Sequence, residues 1–125
     1  MKSLYVADDD PTISNLLKLS IDKITGIEAS FFDNGLDLYR AIQQSLPDAI
    51  ITDIILPGLD GLALVRLVKF DEKYKNIPVL VVSSIIDPEI EDQVKLVRAD
   101  GFLRKPFKSH DFRERVKTLL SMPEE

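Results

Sequence analysis

Apolar residues along the chain alternate between short unbroken runs and a helical spacing of three or four, and that alternation predicts repeated βα units. The predicted strands are Ser3–Ala7, Ile27–Phe32, Ala49–Thr52, Pro78–Val82 and Phe102–Arg104. The run Pro78-Val-Leu-Val-Val82 has no polar alternation, as expected of a strand covered on both faces. Helical stripes lie between the runs. Ile13, Leu16, Leu17, Ile21 and Ile24 form the first, opened by Asp10-Pro11, a carboxylate at the cap followed by a proline at the first helical position. Gly26 is placed to close it. Leu38, Ala41, Ile42 and Leu46 form the second, stopped by Pro47 because the residue before a proline is pushed out of helical geometry. Leu64, Leu67 and Val68 follow Asp60-Gly61, Ile90, Val94 and Val97 follow Asp87-Pro88, and Phe112, Val116, Leu119 and Leu120 make the last stripe.

Five such units predict an α/β fold, (βα)5, with a doubly wound, mainly parallel sheet, since right-handed crossovers place helices on both faces. Sheets of this type bind ligands beyond the carboxyl ends of their strands. There the sequence places Asp8-Asp9-Asp10 after the first strand, Asp53 after the third, Ser83-Ser84 after the fourth and Lys105-Pro106 after the fifth. Asp8, Asp9 and Asp53 would repel one another in a crevice unless a cation sat among them. Oxygen ligands without His or Cys suit Mg²⁺, which keeps several waters and is commonly completed by a phosphate. Lys105 and Ser83 add a mobile positive charge and a hydroxyl, both suited to phosphoryl oxygens. Asp53 is then a candidate nucleophile, because carboxylates form acyl phosphates in other phosphoryl-transfer proteins.

Composition narrows the partners. With 125 residues the chain is the size of one domain, able to hold one core without disulfide or metal staples, and it has no Cys. Sixteen basic against twenty-one acidic residues give a net charge of −5, which disfavours nucleic acid and anionic membrane as partners. Residues 98–117 are the exception, with seven basic and three acidic side chains. No early basic segment precedes a long apolar core, and no run approaches the roughly eighteen apolar residues of a membrane span, so a soluble, cytoplasmic protein is expected. The expected domain is 1–121, with a polar tail over 122–125. His110, the sole histidine, has no companion ligand in the pattern and reads as a surface residue.

The acidic pair Asp8-Asp9, Asp53 within Thr52-Asp53-Ile-Ile-Leu-Pro57-Gly58-Leu-Asp60-Gly61, Ser83 thirty residues on, and Lys105-Pro106-Phe107 twenty-two residues later together resemble the receiver domains of two-component response regulators, typified by the bacterial chemotaxis regulator. The resemblance covers nearly the whole chain. It implies a flavodoxin-like sheet of strand order 2-1-3-4-5 and transfer of phosphate from a phosphohistidine, on a histidine kinase or phosphotransfer protein, to Asp53. It further implies Mg²⁺ held by Asp9, Asp53 and the main-chain carbonyl of Ile55, with Asp8 assisting through metal-bound water. Ser83 and Lys105 would contact the phosphoryl group, Phe102 would turn inward behind Ser83, and Lys105-Pro106 would be a cis peptide. Downstream proteins, or a second copy in a phosphorylation-linked homodimer, would meet the fourth helix, fifth strand and fifth helix, where Arg104, Lys108, Arg113, Arg115 and Lys117 otherwise read as a solvated face.

Three departures from the family stand out. Arg98 occupies the place of a glycine before Ala99, at a cost on the order of 1 kcal/mol if that backbone is left-handed. Ser84 replaces a small alanine. Ile55 and Ile85, two residues after Asp53 and Ser83, put apolar side chains where polar ones can orient attacking water, which predicts a shielded, long-lived phosphoaspartate. Rival readings fit less well. A phosphohydrolase of the aspartyl-phosphate type needs a general acid where Ile55 stands, and a flavin phosphate would be repelled by Asp8-Asp9-Asp10. A degenerate receiver serving only as a docking surface would lack some of the polar groups that are all present here.

Overall fold

The short apolar runs become five parallel strands and the stripes between them five helices, in a computed structural model that describes residues 1–123. In chain order these are β1 (Lys2–Ala7), α1 (Pro11–Asp22), β2 (Ile27–Phe32), α2 (Gly35–Gln44), β3 (Ala49–Asp53), α3 (Gly61–Lys69), β4 (Val79–Ser83), α4 (Ile90–Leu96), β5 (Gly101–Arg104) and α5 (Ser109–Leu119). The sheet order is β2-β1-β3-β4-β5, the flavodoxin-like order. Pro78 lies just outside β4, and its carbonyl accepts from Ile50 N at 2.9 Å.

Side chains alternate along the strands and build two cores. Tyr5, Ala7, Ile50, Val79 and Val81 face one side, where α2, α3 and α4 contribute Leu38, Ile42, Leu64, Val65, Val68, Ile90 and Val94. Leu4, Val6, Ile51, Leu80 and Val82 face the other, covered by Leu17 and Ile21 of α1 and Phe112 and Val116 of α5. Register brings Ala7 level with Thr52, Asp53 with Val82 and Ser83 with Arg104, so the polar residues that end these strands share one edge.

Four boundary expectations need correction. Leu16 and Leu67 are exposed although they fall on apolar stripes, and Leu46 is exposed because α2 ends at Gln44 with Ser45 as an extended cap, leaving Leu46 beyond the helix. The α1 helix ends at Asp22 with Lys23 as its cap, and Gly26 instead takes a positive φ of 93° in the turn into β2. The α4 helix starts at Ile90 rather than at Asp87-Pro88; the Asp87 side chain accepts from Glu89 N at 2.9 Å in a preceding turn, and the cap residue Glu89 makes no side-chain capping bond. After α5, Ser121 is left-handed, with Met122 N bonding the Lys117 carbonyl at 2.8 Å, so that Met122 packs against the α1/α5 core. Glu124 and Glu125 of the expected tail lie outside the described residues.

Candidate functional site

Asp8 follows the last residue of β1 and is 2% exposed. One of its carboxylate oxygens accepts from Asp10 N at 2.9 Å; the other accepts from Lys105 Nζ at 2.8 Å. Asp53 closes β3 in the same manner. Its Oδ1 accepts from Ile54 N at 2.7 Å and Ile55 N at 3.4 Å, and its Oδ2 accepts from Lys105 Nζ at 2.7 Å. The buried Thr52 hydroxyl donates to the Asp53 carbonyl at 2.9 Å, steadying the peptide that carries the carboxylate. Gly61, the first residue of α3, lies so close to the Asp53 carbonyl that a Cβ there would collide with backbone, while Gly61 N donates to Ile54 O at 2.8 Å. That close approach seats the α3 N-terminus beside Asp53.

Lys105 enters the cleft next to a cis Lys105-Pro106 peptide. Burial alone would lower its pKa, but hydrogen bonds and charge attraction from Asp53 and Asp8 outweigh desolvation and raise it above the ordinary lysine value. The ammonium is therefore held charged between two carboxylates. Asp9 stands exposed at the mouth of the same cleft. Among the described residues no three His, Cys, Asp or Glu side chains converge at metal-ligating spacing; the Lys105 ammonium, rather than a common metal point, organises Asp8 and Asp53. The donor set nevertheless fits a hard divalent ion. It offers only carboxylate and carbonyl oxygens, and one lysine leaves two of the three negative charges uncompensated once Asp9 is counted.

Ser83 reaches the same edge but is fully buried, and its Oγ accepts from Ile85 N at 3.1 Å. Ser84, by contrast, is exposed and lines the cleft. Lys105 N donates to Ser83 O at 2.9 Å, tying the two strand ends together. Ile55 is 62% exposed beside Asp53, and Ile85 is half-buried against the α2–α4 side. Phe102 packs on that same side, half-buried, with the Arg104 guanidinium 5.5 Å from its ring centroid. His110 is exposed. The cleft, about 780 Å³, extends from the carboxylates along an apolar groove between α1 and the start of α5, lined by Leu16, Leu19 and Phe107.

A flavodoxin-like sheet with two aspartates and a lysine gathered at its carboxyl edge defines a receiver-type domain. The chain belongs to the response regulator receiver domain family, whose model matches residues 4–117. It is 30% identical over 122 residues to the transcriptional regulator RpaA of Synechocystis, covering 96% of this chain and 49% of that protein, so it spans about half the length of this relative. The chemotaxis response regulator CheY4 of Vibrio cholerae has the same architecture, with a TM-score of 0.86 and 26% identity over 96% of this chain and 99% of that one. The receiver domain of sensor histidine kinase PA1611 of Pseudomonas aeruginosa, solved with magnesium in its active-site cleft, shares the fold at a TM-score of 0.85 and 19% identity, covering 96% of this chain and 98% of that one.

Several residues of the site carry no signal in the sequence pattern. Arg104 and Arg115, members of an apparently solvated basic face, bond the main-chain carbonyls of Ile85 and Phe102. Arg98 is left-handed at φ 66°, as its place before Ala99 suggests, and closes α4 with Ala99 N bonding Val94 O at 3.3 Å. Its guanidinium then lies 4.3 Å from the centroid of the Phe70 ring at the end of α3.

Proposed function

We propose that Asp53 accepts a phosphoryl group from a phosphohistidine on a histidine kinase or phosphotransfer protein. A carboxylate oxygen of Asp53 bonds to phosphorus as the phosphorus–nitrogen bond breaks, and the imidazole leaves with that electron pair. The observation that carries this reading is the Lys105 ammonium, 2.8 and 2.7 Å from carboxylates on two different strands. Asp53 is already aimed by the Ile54 and Ile55 amides, so little reorganisation precedes attack. Lys105 supplies positive charge to the incoming phosphoryl oxygens. Asp9, Asp53 and the Ile55 carbonyl would hold Mg²⁺, with Asp8 beside them; the ion would supply further charge stabilisation on the transferring group. Ser83 and Phe102 respond to the new phosphoryl charge, and the change reaches α4, β5 and α5, the face offered to a downstream protein or a second copy.

No observation favours a phosphohydrolase, because Ile55 has no proton to give. The reaction is a single acceptance and slow self-hydrolysis, not turnover. The setting is cytoplasmic, where kinase and acceptor meet; among the described residues no helix is long and apolar enough to cross a membrane. Nucleic acid is not contacted by this domain.

The experiment is labelling by acetyl phosphate, or binding of a beryllium fluoride adduct, with and without Mg²⁺. Labelling that needs Mg²⁺ and disappears in Asp53→Ala supports the reading; Mg²⁺-independent labelling, or labelling that survives in the variant, removes it. With Ile55 and Ile85 shielding the acyl phosphate, Ile55→Asn and Ile85→Glu shorten its lifetime, whereas unchanged lifetimes contradict shielding.

A further inference from the structure

The loop between β3 and α3 is held at two glycines, each the first residue of a helix. It runs over residues 54–60, directly after Asp53. Gly61 of α3 holds one end: a Cβ there would collide with the Asp53 carbonyl, and Gly61 N donates to Ile54 O at 2.8 Å. Gly35 of α2 holds the other, because its missing side chain lets the Leu59 carbonyl lie directly against the helix. A Cβ at Gly35 would collide with Leu59 O and stand 3.2 Å from Leu59 Cβ. The same turn of α2 is tied by Asn34, whose side chain accepts from Asp37 N at 2.8 Å and donates to the Asp37 carboxylate at 2.9 Å.

Helix and loop differ in how firmly they are fixed. Leu38 and Ile42 anchor α2 in the core, fully buried. Residues 56–59 make no main-chain hydrogen bond among the described residues and rest on the packing of Leu56 and Leu59 and on the contact with Gly35. A methyl group at residue 35 is therefore relieved by movement of the loop rather than of the helix. That loop carries the Ile55 carbonyl, and its far side adjoins Asp9, which shares a small hollow with Asn34, Pro57 and Gly58. We propose that Gly35 is a positioning residue: the start of α2 braces Leu59 and thereby keeps the Ile55 carbonyl and the Asp53 carboxylate in place for Mg²⁺. The inference rests on the metal assignment made with the phosphoacceptor reading above. It gives α2, none of whose residues lines the main cleft, a part in metal binding.

The test follows urea unfolding of the whole chain at rising Mg²⁺, where the stabilisation gained from the ion reads its affinity separately from baseline stability. In Gly35→Ala the Mg²⁺ Kd fitted to this gain should rise about tenfold, the usual scale when the outer support of a metal ligand is disturbed. Ile42→Ala, two turns further along α2, should unfold at lower urea yet keep the wild-type Mg²⁺ Kd. A Gly35→Ala protein that is destabilised but binds Mg²⁺ as wild type does overturns the proposal, and so does an equal rise in Kd in Ile42→Ala. If Gly35→Ala does not fold, Asn34→Ala decides, because it frees the first turn of α2 from its cap while leaving Gly35 in place: a raised Mg²⁺ Kd supports the brace, and a wild-type Kd overturns it. Failure of wild type itself to gain stability from Mg²⁺ is a separate result: it removes the metal assignment and the proposal with it.

Discussion

The helices α1 and α4 lie on opposite faces of the sheet and follow the strands that deliver Asp8 and Ser83, yet they are built to different standards. The α1 helix has twelve residues, opens with Pro11 and is capped by Asp10, whose side chain accepts from Thr12 N at 2.9 Å. The α4 helix has seven residues, begins after an exposed loop, lacks a side-chain cap and ends on the left-handed Arg98. The Asp8 carboxylate beside α1 is fixed by Asp10 N and the Lys105 ammonium, whereas the Ser83 hydroxyl beside α4 is bonded only by Ile85 N of its own loop among the described residues. The lesson is a division of labour. The carboxylate side rests on a long, capped helix and the hydroxyl side on a short helix without a side-chain cap, an arrangement that lowers local stability on the hydroxyl side.

The largest expected effect lies at the rigid end. Lys105→Ala leaves the buried Asp8 and the partly exposed Asp53 carboxylates facing each other without a cation, which should cost about 3 kcal/mol in urea unfolding at neutral pH, the low end for a broken buried pair. Added Mg²⁺ should recover part of this loss, since the ion takes the place of the ammonium charge. In wild type the raised Lys105 pKa gives a defined sign: its stabilisation is complete below the ordinary lysine pKa and is lost only as pH rises through the higher folded value. Stability measured from pH 7 upward should therefore hold this contribution until strongly alkaline conditions.

Next in size are the caps. Asp10→Ala and Asp60→Ala should each cost about 1 kcal/mol, because Asp60 likewise accepts from Ala63 N at 2.9 Å. Glu89→Ala, at the uncapped start of α4, should change stability little. Equal losses at all three would erase the contrast between the helices. Amide hydrogen exchange sharpens it further: α4 amides should exchange by a local opening of smaller free energy than those of α1.

Much of this was legible in the sequence, for a physical reason. Parallel strands buried on both faces leave unbroken apolar runs, and the polar residue that ends each run falls at one edge, which is how Asp8, Asp53, Ser83 and Lys105 identify themselves. Periodicity marks a stripe but not where its helix stops or what covers it, so Leu46, beyond the end of α2, and Leu16 and Leu67 read as apolar-face residues and are exposed. Nor does it say what a charged side chain touches. Lys69 looks like a surface residue, yet it is 9% exposed and its Nζ donates to Asp100 at 2.9 Å and Ile77 O at 3.0 Å, and Arg104 reads as solvated while gripping Ile85. Such partners come from elements 8 to 31 residues away and exist only once the sheet has formed.

The smallest expected effect is at Arg98. Arg98→Ala keeps the left-handed strain and loses the stack on Phe70, for a loss of about 0.5–1 kcal/mol. Arg98→Gly relieves strain of about 1 kcal/mol while losing the same stack and gaining unfolded-state freedom, so its net change should be near zero. A clear gain in Arg98→Gly would show that the Phe70 contact contributes nothing.

The most direct test of the central claim locates the phosphoryl group. After reaction with acetyl phosphate and Mg²⁺, borohydride reduction converts a phosphorylated aspartate to homoserine, and peptide mass spectrometry reads its position. The account predicts homoserine at residue 53 alone, dependent on both donor and metal; homoserine at residue 8 or 9, or at no residue, would contradict it.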